Sequence, residues 1–515
     1  MKQSILVVLF TLLFKLVVLA QITPIAESND FLEPNKGFSK LIVLNDGSSA
    51  YLEINRNFGI RIKSFDKNYK ETLANTITSK FGKMGYTEMT ALFEVEGNIV
   101  LFMTEYELTS AHTYRFIINP KDGTLIGEDN ILGEVKKVSI GANYAKAKGG
   151  SVLPKVIVGY DRKSQYYATA FVNTSDAPSE RALFVKLYDP KNQLVNSHTF
   201  FWGKDNTYKH LRLQDIVVHN KNVYTTLYAF DLNIMQEEHG RFIIVDCSAA
   251  TEKNTEFTSI ESDKDIDPQT AKMQFCAADN NVYIACQYYI PKKYMKDETT
   301  AFESGNRLYV YNPPSKKIIE TIPLSLKGIK EFESSFQDFY MNDDGSYSLV
   351  YELFGYTVTG TRTSYDYGSN LILQNNIKKS APSITLFPKD HFISSVNSGN
   401  NSGTLQYDED LAYKRYFFVN SNKNKILLVN DIAENEKRVR DNKNPDKLKV
   451  IRNCDAFYIE TGSKDVIPVR KNLFKEKQQV IMTSSTFFNI SNHILATLKK
   501  SSDGKNVKIA WMRIE

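Results

Sequence analysis

GNIVLFMTEY (Gly97–Tyr106), KNVYTTLYAF (Lys221–Phe230) and NNVYIACQYY (Asn280–Tyr289) are one strand phrase written three times. In each, an Asn at a tight turn leads into β-branched and aromatic residues, the types that fit a pleated surface. The three Asn positions are 98, 222 and 281. The first interval is twice the second, so the unit is about 60 residues and one copy is passed over.

A second phrase recurs beside the first: a strand, a turn built on Asp or Asn, and another strand. It begins at Gly59, Tyr114, Leu183, Arg241, Arg307 and Leu371, with a weaker copy at Asp455. Asp66, Asn119, Asp189 and Asn312 supply the side-chain oxygens that cap turns, and Pro120, Pro190 and Pro313 pre-set the turn dihedrals. Asp-Gly hairpin signals stand at 46–47, 122–123, 344–345 and 503–504. Seven copies, each able to supply about four antiparallel strands, predict an all-β propeller, since one such sheet cannot cover both of its faces alone. Seven blades is the expected count, with six or eight next. A chain of β-sandwiches would show a longer period and clear linkers.

The mature chain must close on itself. The early strand Lys40 to Leu44 and the final run Val507 to Ile514 are the expected partners. Val507, Ile509 and Trp511 alternate with Lys508, Ala510 and Met512 as in a half-buried strand. The two termini should share one blade.

Met1 and Lys2 precede an apolar run from Ile5 to Ala20, the pattern of a secretory signal peptide cut before Gln21. Lys15 interrupts the run short of the ~20 residues that a membrane span requires. The expected organisation is a signal peptide at 1–20, a short polar leader at 21–37 (an ordered strap or a loose terminus) and the propeller at 38–515. No later stretch is apolar enough to span a bilayer. The protein is therefore expected to be exported: periplasmic, at the cell surface or secreted.

The 515 residues are 42% hydrophobic and 24% charged, as in a soluble globular protein. The formal net charge of +5 falls by two once Lys2 and Lys15 leave with the signal, which gives little support for nucleic-acid binding. Tyr and Phe number 29 and 31 against 2 Trp, a loading that favours strands. Of the 4 Cys, Cys276 and Cys286 flank the turn at Asp279-Asn280-Asn281. Placed directly opposite in the hairpin they are within disulfide reach, and a slip of one residue removes that reach, leaving two buried thiols, the preferred alternative.

No motif names a reaction. GYTVTGTR (Gly355–Arg362) has a P-loop's glycine spacing without its Lys and Ser/Thr. The 7 His never fall at metal-ligand spacing. Asp263, Asp265 and Asp267 alternate like a calcium loop, but Pro268 replaces the glycine of its sharp turn. No catalytic residue, metal site or cofactor is assigned.

Four segments exceed what blade turns require: Pro291 to Asn306, Phe354 to Asn370, Lys378 to Thr404, and Asn430 to Lys449. Long connections on a repeat scaffold tend to leave from one face and carry binding. The richest is TVTGTRTSYDYGSN (Thr357–Asn370). Tyr356, Tyr365 and Tyr367 offer flat amphipathic surfaces there, and Arg362 and Asp366 offer charged hydrogen bonds, a composition suited to a protein or glycan interface. Packing of the same tyrosines against the blade edge is the competing reading.

DGSYSLVYE (Asp344–Glu352), followed by YDYGSNLILQ (Tyr365–Gln374) and FFVNSNKNKILLVND (Phe417–Asp431), resembles uncharacterised exported propeller-like proteins of Bacteroidetes. Ser369-Asn370 departs from the acidic form of that phrase. The resemblance implies location and fold and carries over no catalytic residue. The expectation is an exported, non-catalytic binding or scaffold protein whose partner is an envelope or extracellular protein or glycan. The alternative is a propeller hydrolase or lyase acting on extracellular glycan or peptide. N-terminal sequencing of protein from the native host should begin at or near Gln21; recovery of an intact Met1 in the membrane fraction would identify an anchor instead.

Overall fold

The computed structural model describes residues 22–515 except 35–37, 56–58, 82–86, 107–109, 132–134, 137–155, 174–180, 203–207, 209, 233–237, 249–256, 261–266, 290–304, 325–333, 360–361, 379–381, 397–408 and 463–467. The expected signal peptide at 1–20 lies outside these residues. The strands form eight antiparallel sheets of at least four strands each, and the chain passes through them in order. Blades 1 to 7 open with the strands Phe38–Val43, Thr87–Val95, Ile157–Tyr160, His210–His219, Asp267–Cys276, Ser334–Met341 and Phe417–Asn420. Blade 8 opens at Gln479–Ile481. These first strands touch one another from blade 1 to blade 6, and blade 1 touches Phe487–Asn489 of blade 8, so first strands line the axis. Among the described residues no helix is long and apolar enough to cross a membrane.

The fold is thus the expected propeller, with eight blades in place of the seven expected. The error has a definite origin. Each copy of the second phrase is the third-to-fourth-strand hairpin of a blade, as in Gly59–Phe65 with Glu71–Ile77. In blade 8 the third strand is the C-terminal Asn506–Ile514, and the fourth is Ile22–Glu27 from the other end of the chain. Its hairpin is divided between the termini, so no phrase marks it.

Side chains alternate across a strand, and a blade has a neighbour on each side, so both faces of its central strands must be apolar. Ile426, Leu427, Leu428 and Val429 are all fully buried. Ile426 and Leu428 face blade 8, and Leu427 and Val429 face blade 6. Among the described residues eight apolar clusters separate the eight blades, one at each junction. Each fully buried aliphatic or aromatic side chain contributes ~1.5–3 kcal/mol.

Ring closure takes the expected form with a different N-terminal partner. The segment read as a leader supplies the fourth strand of blade 8, with Ile22 opposite Ile514 and Ala26 opposite Trp511. Pro24, which donates nothing to a ladder, is tolerated on this outermost strand. Phe31–Leu32 continue the pairing to Val507 and Asn506. Lys40 to Val43 instead belongs to the first strand of blade 1, which packs on blade 8 without joining its ladder, and Leu44 follows it. The C-terminal strand is buried on both faces from Ile509 to Met512, beyond the half-burial expected, because blades 1 and 7 flank it. Trp511 crosses the seam: Nε1 donates to Ser49 Oγ at 3.1 Å, and its ring lies 5.1 Å from both Phe65 and Tyr69.

Cys276 and Cys286 are buried free thiols. The ladder sets Cys276 opposite Asn281 and Cys286 opposite Ala271. That register leaves roughly 17 Å of strand between the two cysteines, so no bridge forms. Trp511→Ala should cost about 3–5 kcal/mol through the cavity it leaves, and a chain that begins at Glu33 should have a lower thermal midpoint still than one that begins at Gln21. A full midpoint after the deletion would refute closure at this seam.

Candidate functional site

In a four-stranded antiparallel blade, the second-to-third connection and the link to the next blade leave from the same end. Pro291 to Asn306, Phe354 to Asn370 and Asn430 to Lys449 are all second-to-third connections, in blades 5, 6 and 7. The fourth expected segment divides. Its start is the short turn before Ser383–Phe387 at the opposite end, and its remainder is the link from blade 6 to blade 7. The long connections of three consecutive blades therefore gather at one end of the ring.

The most elaborate group stands where blade 6 meets blade 7. Ser346–Thr359 and Arg362–Asn376 form a hairpin that runs past the first strand of its blade. The outer partner of Arg362–Asn376 changes along its length: Ser383–Phe387 pairs with Asn370–Gln374, then His391–Val396 pairs with Arg362–Tyr367. The hairpin register breaks between Glu352 and Phe354. Leu353 lies across Gly368 there, where a Cβ would come within 2.6 Å of Leu353 Cδ2.

Glu352, Asn370 and Lys389 are buried at this break. Lys389 Nζ lies 2.6 Å from Glu352 Oε1, and neither side chain reaches solvent. Arg415 Nη2 donates to Gln337 Oε1 at 2.9 Å and lies 3.4 Å from Glu352 Oε2. The Arg415 side chain remains 41% exposed, with its guanidinium 5.7 Å from the centre of the Tyr367 ring. Tyr416 donates its hydroxyl to Asp338 at 2.9 Å, and burial with that carboxylate pushes the phenol well above its ordinary value. Gln337 and Asp338 owe their positions to a bulge in the first strand of blade 6. Equivalent bulges occur at Thr90, Gln214 and Gln269 in blades 2, 4 and 5.

A second buried cluster lies behind the first. His391 Nδ1 is 2.7 Å from the Lys414 carbonyl, a geometry in which that nitrogen carries the donated proton. Its Nε2 faces Asp431 Oδ1 at 3.5 Å. Arg470 pairs with the other Asp431 oxygen and donates to the Pro388 carbonyl at 3.1 Å. Burial alone would raise Asp431, but the neighbouring His391 ring and the charge of Arg470 hold its carboxyl below the usual range. Lys414 Nζ donates to the carbonyls of Phe392 and Lys449, both at 2.7 Å.

Of the residues expected to make contact, Asp366 pairs with Lys447 at 2.9 Å, and Tyr367 stands beside Arg415. Tyr356 and Tyr365 face each other across the hairpin ladder, and Arg362 is paired with Thr359. The side chains of these three lie outside the described residues. The long segment Asn430 to Lys449 contains the helix Asn435–Arg440, and Arg438 and Arg440 pair with Asp446 and Glu436. Gln337, Glu352, Lys389 and Arg415 escaped the sequence reading. One signal for them was present: Gln-Asp stands at the bulge of both blade 4 and blade 6, at 214–215 and 337–338. Among the described residues no three His, Cys, Asp or Glu side chains gather as metal ligands.

No protein-family model and no curated protein sequence matches the chain. Among solved structures it is similar to the WD40 domain of SCAP from fission yeast, at 8% identity and a TM-score of 0.38, over 96% of this chain and 98% of that one. It is also similar to the polysaccharide lyase Uly1, at 10% identity and a TM-score of 0.39, over 86% of this chain and 93% of that one. A third similar structure is an α-L-arabinanase of Penicillium chrysogenum, at 8% identity and a TM-score of 0.35, over 65% and 94%. None of these likenesses bears on ligand or reaction.

Asp431 is lowered in the folded chain, so its contribution to stability is present above the unfolded carboxylate value, near 3.9, and lost as pH falls through the lower folded value. Wild-type stability should therefore fall below about pH 4. Asp431→Asn should cost about 3–5 kcal/mol at neutral pH by leaving the Arg470 charge buried and unpaired, and should flatten that acid limb. Denaturant unfolding between pH 7 and pH 2 checks both; an unchanged acid limb would remove Asp431 from its cause.

Proposed function

We propose that this chain is an exported, non-catalytic binding propeller of the cell envelope or extracellular space. It holds an envelope or extracellular protein or glycan against the junction of blades 6 and 7. The observation that carries this reading is the half-exposed guanidinium of Arg415, fixed in place by Gln337 and Glu352 and lying over Tyr367. A preset Arg beside an aromatic ring is the kind of anchor that dominates binding energy at interfaces. Three acid–base groups nearby support binding over hydrolysis. Glu352 and Lys389 are closed to solvent and paired, and His391 is fully buried, so none is placed to exchange protons with a substrate. Export rests on the charged start and the apolar run at residues 1–20 and forms part of the same proposal, as does kinship with exported propellers of Bacteroidetes.

Biolayer interferometry against purified envelope glycans and secreted proteins of the source organism tests the reading. A genuine ligand should lose at least about tenfold in affinity with Arg415→Ala, a loss of ~1.4 kcal/mol, and more with Tyr367→Ala added, while the thermal midpoint holds. Equal affinity of wild type and double variant would move the site elsewhere. Release of cleaved product from a bound glycan or peptide would overturn the non-catalytic assignment in favour of a hydrolase or lyase.

A further inference from the structure

We propose that a cleft in blade 8 is a binding site for a short uncharged segment of a glycan. The cleft holds about 500 Å³ at the end of the ring where the long connections gather, a size suited to a small ligand. One wall is the N-terminal segment, with Glu27 and Asp30, and the other is the hairpin of the second and third strands. Glu476, on the link from blade 7, adds a third carboxylate. The N-terminal segment makes the opening by swinging off its ladder. Glu27 stands opposite Ala510 and Phe31 opposite Val507, so four steps along one strand answer three along the other. Within that bulge the Ile509 amide donates to the Ser28 hydroxyl at 2.9 Å, and Asn29 and Asp30 are exposed.

Inside the cleft the charges alternate. Lys499 stands directly opposite Lys508 on the hairpin, a like-charge pair that is unfavourable alone. Glu27 accepts from both, at 2.7 Å and 3.4 Å, and Glu476 accepts from Lys499 at 3.3 Å. Asp30 lies 3.6 Å from Lys508. Lys499 is buried, with its ammonium 4.4 Å from the centre of the Phe474 ring, so this part of the lining is held rigidly. Lys500 pairs with Glu33 at 2.6 Å. The rest of the lining balances, with Lys499, Lys505 and Lys508 against Glu27, Asp30 and Glu476.

That balance selects the ligand. An anion entering the cleft meets three carboxylates, and a cation meets three ammonium groups. A sugar hydroxyl is donor and acceptor at once, so it fits a lining that offers both. Among the described residues the Lys505 ammonium and the Asn506 side-chain amide have no partner, and both are exposed. They donate to hydroxyl oxygens, while Asp30 and Glu476 accept hydroxyl protons. Hydrogen bonds with one ionised partner are the stronger kind. Small-ligand pockets are mostly apolar, whereas this lining is charged and amide, which sets apolar ligands aside. The site lies on blade 8, away from Arg415, and does not depend on the junction of blades 6 and 7.

The test titrates the chain that begins at Gln21 with neutral hexasaccharides of gluco, galacto, manno and xylo configuration, and with hexagalacturonate as the acidic probe, by isothermal titration calorimetry. At least one neutral probe should bind, and should raise the thermal midpoint by a few degrees because it bridges the two ends of the chain. Its affinity should change less than about twofold between ~0.1 and ~1 M sodium chloride, since salt does not screen an uncharged ligand. Asp30→Ala combined with Lys505→Ala should keep the unliganded midpoint and weaken binding at least about tenfold. Arg415→Ala should leave binding unchanged, which separates this site from the one between blades 6 and 7. Should the double variant fold poorly, protection of wild-type Lys505 from acetylation by the bound sugar, mapped by mass spectrometry, decides the matter. The proposal is overturned if no neutral probe binds, if hexagalacturonate alone binds, if the folded double variant keeps full affinity, or if Arg415→Ala abolishes binding.

Discussion

The antiparallel ladder between Ile22–Glu27 and Asn506–Ile514 is the contact on which the rest of the architecture depends. Every other blade is made from one continuous stretch of chain, whereas blade 8 exists only when the two ends meet. Closing a loop of roughly 490 residues costs about 5 kcal/mol in chain entropy. The layers on either side of the closing strand offset that cost. Ile509 and Trp511 pack toward blade 1, and Ala510, Met512 and Ile514 toward blade 7. Ion pairs fasten the end of the ring where the long connections gather: Lys499 with Glu27 at 2.7 Å and Lys500 with Glu33 at 2.6 Å. An open ring would expose the edges of blades 1 and 8 together, the condition that invites aggregation of unpaired strands.

A second constraint follows from covering both faces of every blade. Polar groups at a junction must find partners inside it, because water cannot supply them. Between blades 6 and 7 this produces two closed sets, Glu352 with Lys389 and Asp431 with Arg470. Buried pairs of this kind contribute little net stability, yet each becomes costly once a partner is removed. Their effect here is positional. They hold the crossing at Pro388–Asp390, where the long hairpin exchanges one outer strand for another, and they present Arg415 and Tyr367 at the gathered end.

Much of this fold was legible in the residues alone. The strand phrase at Asn98, Asn222 and Asn281 marks the second strands of blades 2, 4 and 5, and the passed-over copy is Tyr167–Asn173 of blade 3. The hairpin phrase marks blades 1 to 7 because its turn chemistry is local: an Asx oxygen caps the backbone two residues on, as Asp66 does at the amide of Asn68. Local chemistry of this kind requires no knowledge of where the chain goes next. The candidate site was legible only in part. Tyr367 and Asp366 stood in a loop of suggestive composition, but Glu352, Lys389 and Arg415 lie on three separate segments, and none carries a motif.

The sequence by itself determined the all-β repeat, the hairpin turns and the segments able to bear long connections, because strand alternation and turn caps are set within a few neighbouring residues. Only the tertiary structure decided the eighth blade, the role of Ile22–Glu27 as its last strand, the separation of Cys276 from Cys286, and the pairing of buried charges between blades 6 and 7. Each of these depends on which distant residues are brought opposite one another. That register is chosen by the packing of whole blades and leaves no mark at any single position in the chain.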